Sequence, residues 1–157
     1  MMAMPVTSIR AARQGDEAKL AEMCALLWPD GTVGEHRGEI EAKIQSGMSG
    51  TLPCALLVAI DANDNLSGFL EVGLRSHADG CDAARPVGFV EGWFVSEQMR
   101  GRGVGKQLMS AAEDWSRTQK CREIASDALL DNVASQQAHS ALGFELVDRC
   151  VHFRKSL

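Results

Sequence analysis

The stretch that decides the fold is Val87-Gly88-Phe89-Val90-Glu91-Gly92-Trp93-Phe94-Val95, followed after Ser96-Glu97-Gln98-Met99 by Arg100-Gly101-Arg102-Gly103-Val104-Gly105-Lys106. Its first part is rich in Val and aromatic residues and reads as a central strand; its second part is a Gly-rich turn. Beyond the turn, Val104, Leu108, Ala111, Ala112 and Trp115 fall at i, i+4, i+7, i+8 and i+11. That spacing predicts a helix with one apolar stripe from about Val104 to Gln119. A strand, a Gly-rich turn and a helix in this order bring unpaired backbone N–H groups and the positive end of a helix dipole to one place, where phosphate oxygens can be held. The glycines permit the turn conformations such a nest requires, and Arg100, Arg102 and Lys106 add charge suited to a pyrophosphate. Two other phosphate motifs fail: G-x-G-x-x-G from Gly101 would need Gly at Lys106, and a Walker motif ending at Lys106 would need Gly at Arg100.

Outward from this core, the chain reads as one domain over 1–157, with no linker, repeat or block of like charge. Val6 to Ala11 reads as a short strand. Asp16 can cap a helix whose apolar positions Leu20, Met23, Cys24 and Leu27 recur at helical spacing and which ends near Trp28-Pro29. Glu35 to Ser46 reads as a second helix, broken at Gly47 and followed by a strand from Ala55 to Ile60. The polar cluster Asp61 to Asn65 turns the chain into a strand from about Leu66 to Leu74. Past the central helix come a strand over Glu123 to Asp127, a helix from about Val133 to Leu142 stopped by Gly143, and a terminal strand from Phe144 onward. Strands alternating with helices after an initial helical pair imply an α/β or mixed α+β class around one sheet.

Composition narrows the function. Of 157 residues 45% are hydrophobic and 24% charged, with a formal net charge of −5. An acidic chain argues against nucleic acid and suits a polycationic ligand. The longest purely apolar run, Cys54 to Ile60, is far shorter than the ~20 residues of a membrane helix. Met1 to Arg10 has no apolar core for a secretion signal, so the expected partner is not a membrane and the expected location is the cytoplasm. Five cysteines, Cys24, Cys54, Cys81, Cys121 and Cys150, lie apart with no C-x-x-C pair, which excludes the usual zinc and dithiol spacings and suggests reduced, mostly buried thiols with no metal.

Arg100, Gly103 and Gly105 fit R-x-x-G-x-G, the pyrophosphate signature of the GNAT superfamily of acyl-CoA-dependent N-acyltransferases. More specifically, Leu27-Trp28-Pro29, Val87 to Val95, Ala125-Ser126-Asp127, Asp131-Asn132 and Ala138-His139-Ser140-Ala141-Leu142-Gly143-Phe144 together resemble the aminoglycoside 6′-N-acetyltransferases. The resemblance implies a GNAT fold whose fourth and fifth strands splay apart, acetyl-CoA as donor, an aminoglycoside or other polycationic amine as acceptor, and a homodimer. It implies that the backbone of Trp93, Phe94 and Val95 pairs with the pantetheine arm, that the Val95 region polarises the thioester carbonyl, and that Arg100, Gly101, Arg102, Gly103, Val104, Gly105 and Lys106 hold the pyrophosphate. Asn132 matches a side chain that bonds the pantetheine amides, and a helix cap is the plain alternative.

For the acceptor, Glu91 interrupts an otherwise apolar strand and by period-two alternation shares a face with Phe89, Trp93 and Val95. A buried carboxylate needs a partner, which is either a salt bridge or an acceptor ammonium. Asp127 ends the next strand and is the second candidate; Asp148 and Trp28 match further acceptor-contacting positions, with a solvated charge and core packing as their alternatives. His36 either lines the acceptor cleft or sits on the surface. Acetyl transfer needs a neutral amine, so Glu91 or Asp127 accepts the ammonium proton directly or through water, with Glu71 a third candidate unless it faces outward. The chain has no Tyr, so a Tyr acid for the departing thiolate is excluded and His139 stands in that place. Ala78 stands where related enzymes can carry an acceptor-contacting aromatic. Two other readings share these residues: a GNAT enzyme for a polyamine, peptide N-terminus or other small amine, and a non-catalytic acyl-CoA-binding module.

Overall fold

The computed structural model describes residues 7–157. The elements are β1 (Ser8–Ala11), α1 (Glu17–Leu27), α2 (Val33–Ser46), β2 (Met48–Ser49), β3 (Leu52–Ile60), β4 (Leu66–Arg75), β5 (Val87–Val95), α3 (Val104–Thr118), β6 (Ile124–Ser126) and α4 (Val133–Ala141), with a single 3-10 turn at Glu97–Met99. The strands form one mixed sheet ordered β1-β3-β4-β5-β6, with β2 paired to β3. β5 and β6 run parallel and the other pairs antiparallel. Val6, the expected first residue of the opening strand, lies outside the described residues. The chain divides into two compact units, Met1–Ser126 with the sheet and α1 to α3, and Asp127–Leu157 with α4.

In the first unit β4 is buried along nearly its whole length, because both of its faces are covered. Phe69 points into a core with Leu20, Met23 and Cys24 of α1, Ile40 of α2, and Leu56 and Val58 of β3. A Cβ on the preceding Gly68 would instead meet Leu108 of α3 at 3.3 Å. Alternation along the strand therefore sets α1 and α2 on one face of the sheet and α3 on the other. On the α3 side Val104, Leu108, Met109, Ala112 and Ser116 are buried, and Ser116 fits because Gly88 of β5 has no side chain to meet it.

Local signals explain where the elements begin and end. α2 starts at Val33, ahead of the expected Glu35, because Thr32 and Glu35 form a reciprocal cap: Glu35 N–H donates to Thr32 Oγ1 at 3.1 Å and Thr32 N–H to Glu35 Oε2 at 3.2 Å. It ends on Gly47 at φ +65°, a left-handed position that Gly occupies without strain. β3 begins at Leu52, earlier than expected, because Met48–Ser49 folds back to pair with it. Asp16 sits at the start of α1, yet its side chain makes no cap bond there. Its carboxylate instead accepts from Arg10 Nη1 at 2.7 Å, Arg10 Nη2 at 3.0 Å and Arg13 N–H at 2.8 Å.

In the second unit Asn132 caps α4, its Oδ1 accepting from Ser135 N–H at 3.1 Å. The expected terminal strand from Phe144 is absent: residues 144–157 carry no regular structure, and Leu146, Val147, Val151 and Phe153 are exposed. A strand forms only against a partner that satisfies its N–H and C=O groups, and this unit contains a helix and no second strand. Asp148 is therefore an exposed residue outside any strand. No helix among the described residues is long and apolar enough to cross a membrane.

The Arg10 hydrogen bonds hold the Asp16 carboxyl below the usual aspartate range against the opposing effect of burial. A depressed folded pKa contributes stability that is fully present above the ordinary aspartate value of about 4 and is lost as pH falls through the folded value. Asp16→Asn is expected to cost about 2 kcal/mol at pH 7. Urea denaturation of the two proteins at a series of pH values should show that gap closing below about pH 4.

Candidate active site

The site is organised by an irregularity in β5. Its register against β4 pairs Val72 with Val90 and Glu71 with Gly92, so Glu91 is an extra residue, a β-bulge. Before the bulge Gly88 points at Ser116 of α3, which leaves Phe89 and Glu91 on the face of α1 and α2. After it, a Cβ on Gly92 would stand 2.5 Å from the Trp28 ring, so Gly92 points to that same face. Trp93 lies on the α3 side, its Nε1 donating to Gly105 O at 3.1 Å, and Val95 follows it by alternation. The expectation that Glu91 shares a face with Trp93 and Val95 is thus corrected; only Phe89 stays with it.

A cleft of about 350 Å³ opens on the α1/α2 face. Cys24 and Trp28 close one side, and His36, Glu39, Ile40 and Lys43 of α2 another. Glu71 of β4 and Glu91 of β5 form the sheet side. Trp28 packs its ring against Phe69 with centroids 6.1 Å apart. His36 is buried, and since a carbonyl can only accept, its Nε2–H donates to Trp28 O at 3.1 Å. His36 is therefore a cleft residue that fixes the end of α1, and the surface alternative is removed.

Both sheet carboxylates carry an internal cation. Arg75 donates to Glu91 through Nε to Oε1 and Nη2 to Oε2, each at 2.9 Å, and lies 3.5 Å above the Phe89 ring. That pair is partly open to water, with side chains 45% and 33% exposed, where ion pairs contribute less than about 1 kcal/mol. Lys43 Nζ donates to Glu71 Oε1 at 2.9 Å in a drier setting, with side chains 19% and 10% exposed. Burial acts against the Lys43 ammonium, but the hydrogen bond and charge of Glu71 prevail and hold its pKa above the ordinary lysine value. Glu71 accordingly faces the cleft and is buried, not outward. The Cys24 thiol beside them is pushed up to about 12 by burial, reinforced by the Glu71 charge and opposed by Lys43, so at neutral pH it is no thiolate nucleophile.

Lys43 and Arg75 were not among the residues singled out from the sequence. A signal for Lys43 is present: His36, Ile40 and Lys43 fall at i, i+4 and i+7, so the lysine lies on the stripe that α2 buries. The bulge that lets Gly92 lie under Trp28 leaves no comparable trace in composition.

The Gly-rich turn joins β5 to α3. Gly101 and Gly103 take φ +74° and +81°, and no side chain caps α3, so its first-turn N–H groups lack acceptors within the helix. Arg102 and Lys106 are exposed beside it, and Arg100 Nε donates to Val95 O at 2.9 Å. Gly105 has a packing reason as well, since a Cβ there would press on the Trp93 ring at 3.2 Å. The β5–β6 ladder ends at the Val90–Ser126 pair, while β5 runs on to Val95 beside β4.

The sequence pattern of the Acetyltransferase (GNAT) family matches residues 20–144. The chain belongs to the GNAT acetyltransferase family. This GNAT chain is 42% identical over 149 residues to an aminoglycoside N(6′)-acetyltransferase type 1 of Klebsiella aerogenes, covering 95% of this chain and 96% of the relative. A relative of the same name from Stenotrophomonas maltophilia is 38% identical over 151 residues, covering 96% and 94%. Among solved structures, AAC(6′)-Iy in complex with the bisubstrate analogue CoA-S-monomethyl-acetylneamine superimposes with a TM-score of 0.86 at 33% identity, covering 97% of this chain and 99% of that one.

In the second unit, Asp127 directly follows β6 and is exposed. His139 Nδ1 donates to Ser135 O at 2.7 Å, and its ring meets Phe144 edge-on at 5.2 Å. Ala78 lies in the exposed loop between β4 and β5. Because Gly92 admits the Trp28 ring, Gly92→Ala should displace it by about 1 Å, shift the tryptophan emission and lower acceptor kcat/KM on the order of 10- to 100-fold. Steady-state kinetics should find the acetyl-CoA KM unchanged.

Proposed function

We propose that this chain transfers the acetyl group of acetyl-CoA to the 6′-amino group of aminoglycoside antibiotics and thereby confers resistance, masking an ammonium the drug needs. The observation that carries the reading is an acidic, aromatic-walled cleft in a chain whose near full-length relatives are aminoglycoside N(6′)-acetyltransferases. An amine-rich sugar is a polycation with apolar ring faces, which Trp28 and the carboxylates of Glu39, Glu71 and Glu91 complement. The residues at the turn fit acetyl-CoA: uncapped helix donors, two left-handed glycines and a strand edge running past its ladder.

In this reading Arg100, Gly101, Arg102, Gly103, Val104, Gly105 and Lys106 hold the pyrophosphate. The backbone of Trp93, Phe94 and Val95 pairs with the pantetheine arm in the manner of an added strand, and the carboxamide nitrogen of Asn132 donates to it. Acetyl-CoA supplies an acyl group activated as a thioester. Backbone N–H groups near Val95 polarise its carbonyl. Trp28, His36, Glu91, Asp127 and Asp148 bind the acceptor, with Glu91 exchanging its exposed Arg75 partner for an acceptor ammonium. Attack needs a neutral amine, so Glu91 or Asp127 takes the proton, directly or through water; the new C–N bond forms, the thioester C–S bond breaks and CoA leaves as its thiolate. The five free thiols support a reducing, cytoplasmic setting. The exposed Leu146, Val147, Val151 and Phe153 support a homodimer. The family match across residues 20–144 supports one acyltransferase domain over 1–157.

The test is mass-resolved acetyl transfer from acetyl-CoA to a 6′-amino aminoglycoside, its 6′-hydroxyl counterpart, spermidine and a peptide amine. Acetylation confined to the 6′-amino drug is expected. Preference for spermidine or the peptide would make this a GNAT enzyme of another amine, and CoA binding without transfer a non-catalytic module. Asp127→Asn is expected to lower turnover about 100-fold or more with the acetyl-CoA KM unchanged. Gly103→Val, which forces a β-branched residue to positive φ, should instead raise the acetyl-CoA KM.

A further inference from the structure

Glu71 is a carboxylate in the most enclosed strand of the sheet, paired in register with Gly92 and so next to Glu91 across the bulge. Its side chain is 10% exposed, and an unpaired charge there is strongly destabilising. The group that neutralises it comes from a different layer: Lys43, in the last turn of α2, reaches across the cleft to Glu71 Oε1 at 2.9 Å. The cleft lining thus holds three carboxylates, Glu39, Glu71 and Glu91, and Lys43 as its one cation among the described residues. An ammonium on a flexible four-carbon stem is chemically the same group as those of a polyamine acceptor.

We propose that Lys43 is a specificity-determining residue of this cleft: its ammonium occupies the Glu71 carboxylate as a built-in substitute for one acceptor ammonium, which a polycationic acceptor must displace to use Glu71. This rests on the reading of the cleft as the acceptor site. Two alternative partners then compete for one carboxylate. While Lys43 holds it, only a fraction of molecules offers Glu71 to a ligand, and the apparent affinity falls by that fraction. Lys43 keeps the free protein folded without an uncompensated charge and sets how many acceptor ammoniums the cleft engages. A single-amine ligand satisfied at Glu91 does not have to displace it.

The experiment compares wild type, Lys43→Gln, Glu71→Gln and the double variant, by acceptor kinetics and by thermal melting with and without spermidine. Lys43→Gln is expected to lower the KM of a multiply charged 6′-amino acceptor about threefold or more. Glu71→Gln in that background should abolish the gain, as a double-mutant cycle requires for coupled groups. The Tm of Lys43→Gln should fall without ligand and rise with spermidine by more than that of wild type. If Lys43→Gln does not stay folded alone, it is purified with spermidine and the polyamine-dependent Tm is the readout. An unchanged or raised acceptor KM, a gain that survives loss of Glu71, or no extra spermidine stabilisation overturns the proposal and leaves the pair purely structural. Wild type that acetylates no 6′-amino drug refutes the functional reading instead. The spermidine melts still decide the role of Lys43, because they read ammonium binding and not turnover.

Discussion

The single extra residue at Glu91 sets the geometry on which the rest of the cleft depends. A regular strand would send Glu91 and Gly92 to opposite faces. The bulge points both toward α1 and α2, so a carboxylate and a side-chain-free gap stand side by side. The gap admits the Trp28 ring, and the Trp28 carbonyl in turn anchors His36. Downstream, the changed alternation turns Trp93 to the other face, where Gly105 receives its ring and accepts its N–H. One inserted residue therefore shifts the alternation of β5, so that Glu91 and Gly92 both face the cleft while Trp93 faces the Gly-rich turn.

The electrostatics of the cleft follow from burial. Two carboxylates lie on the sheet side, and each is neutralised within the protein to a degree that matches its exposure. Glu91, near water, holds Arg75 in a pair that contributes little and is readily exchanged. Glu71, deep in β4, needs Lys43, and losing one partner there would strand the other. A cleft lined by several carboxylates must remain stable in the free protein, and the resident cations Lys43 and Arg75 meet that demand at the two depths. The same negative field, with burial as the larger cause, keeps Cys24 a thiol.

Much of this architecture is legible in the chain because its signals are local. The β5 boundaries, the apolar stripe of α3, the glycines of the turn and the Asn132 cap each follow from residues a few positions apart. Where a neighbour far along the chain decides, local reading fails. Asp16 is drawn from helix capping to Arg10 on β1, and β3 lengthens because β2 folds onto it. The apolar residues after Phe144 have the composition of a strand, but a strand is a pairing, and none is made there.

By itself, then, the amino-acid sequence determined the order of elements from β1 to α4 apart from the short β2, the Gly-rich turn before α3, the absence of any Tyr and the acidic character of the chain. These rest on backbone preferences and spacing, which act within a turn or two of helix or strand. Only the tertiary structure decided the facing of Glu91, the burial of His36 and Glu71, and the Arg75 and Lys43 partners. The register between β4 and β5 and the packing of α2 across the sheet join residues as far apart as Lys43 and Glu71, and no local preference encodes which of them meet.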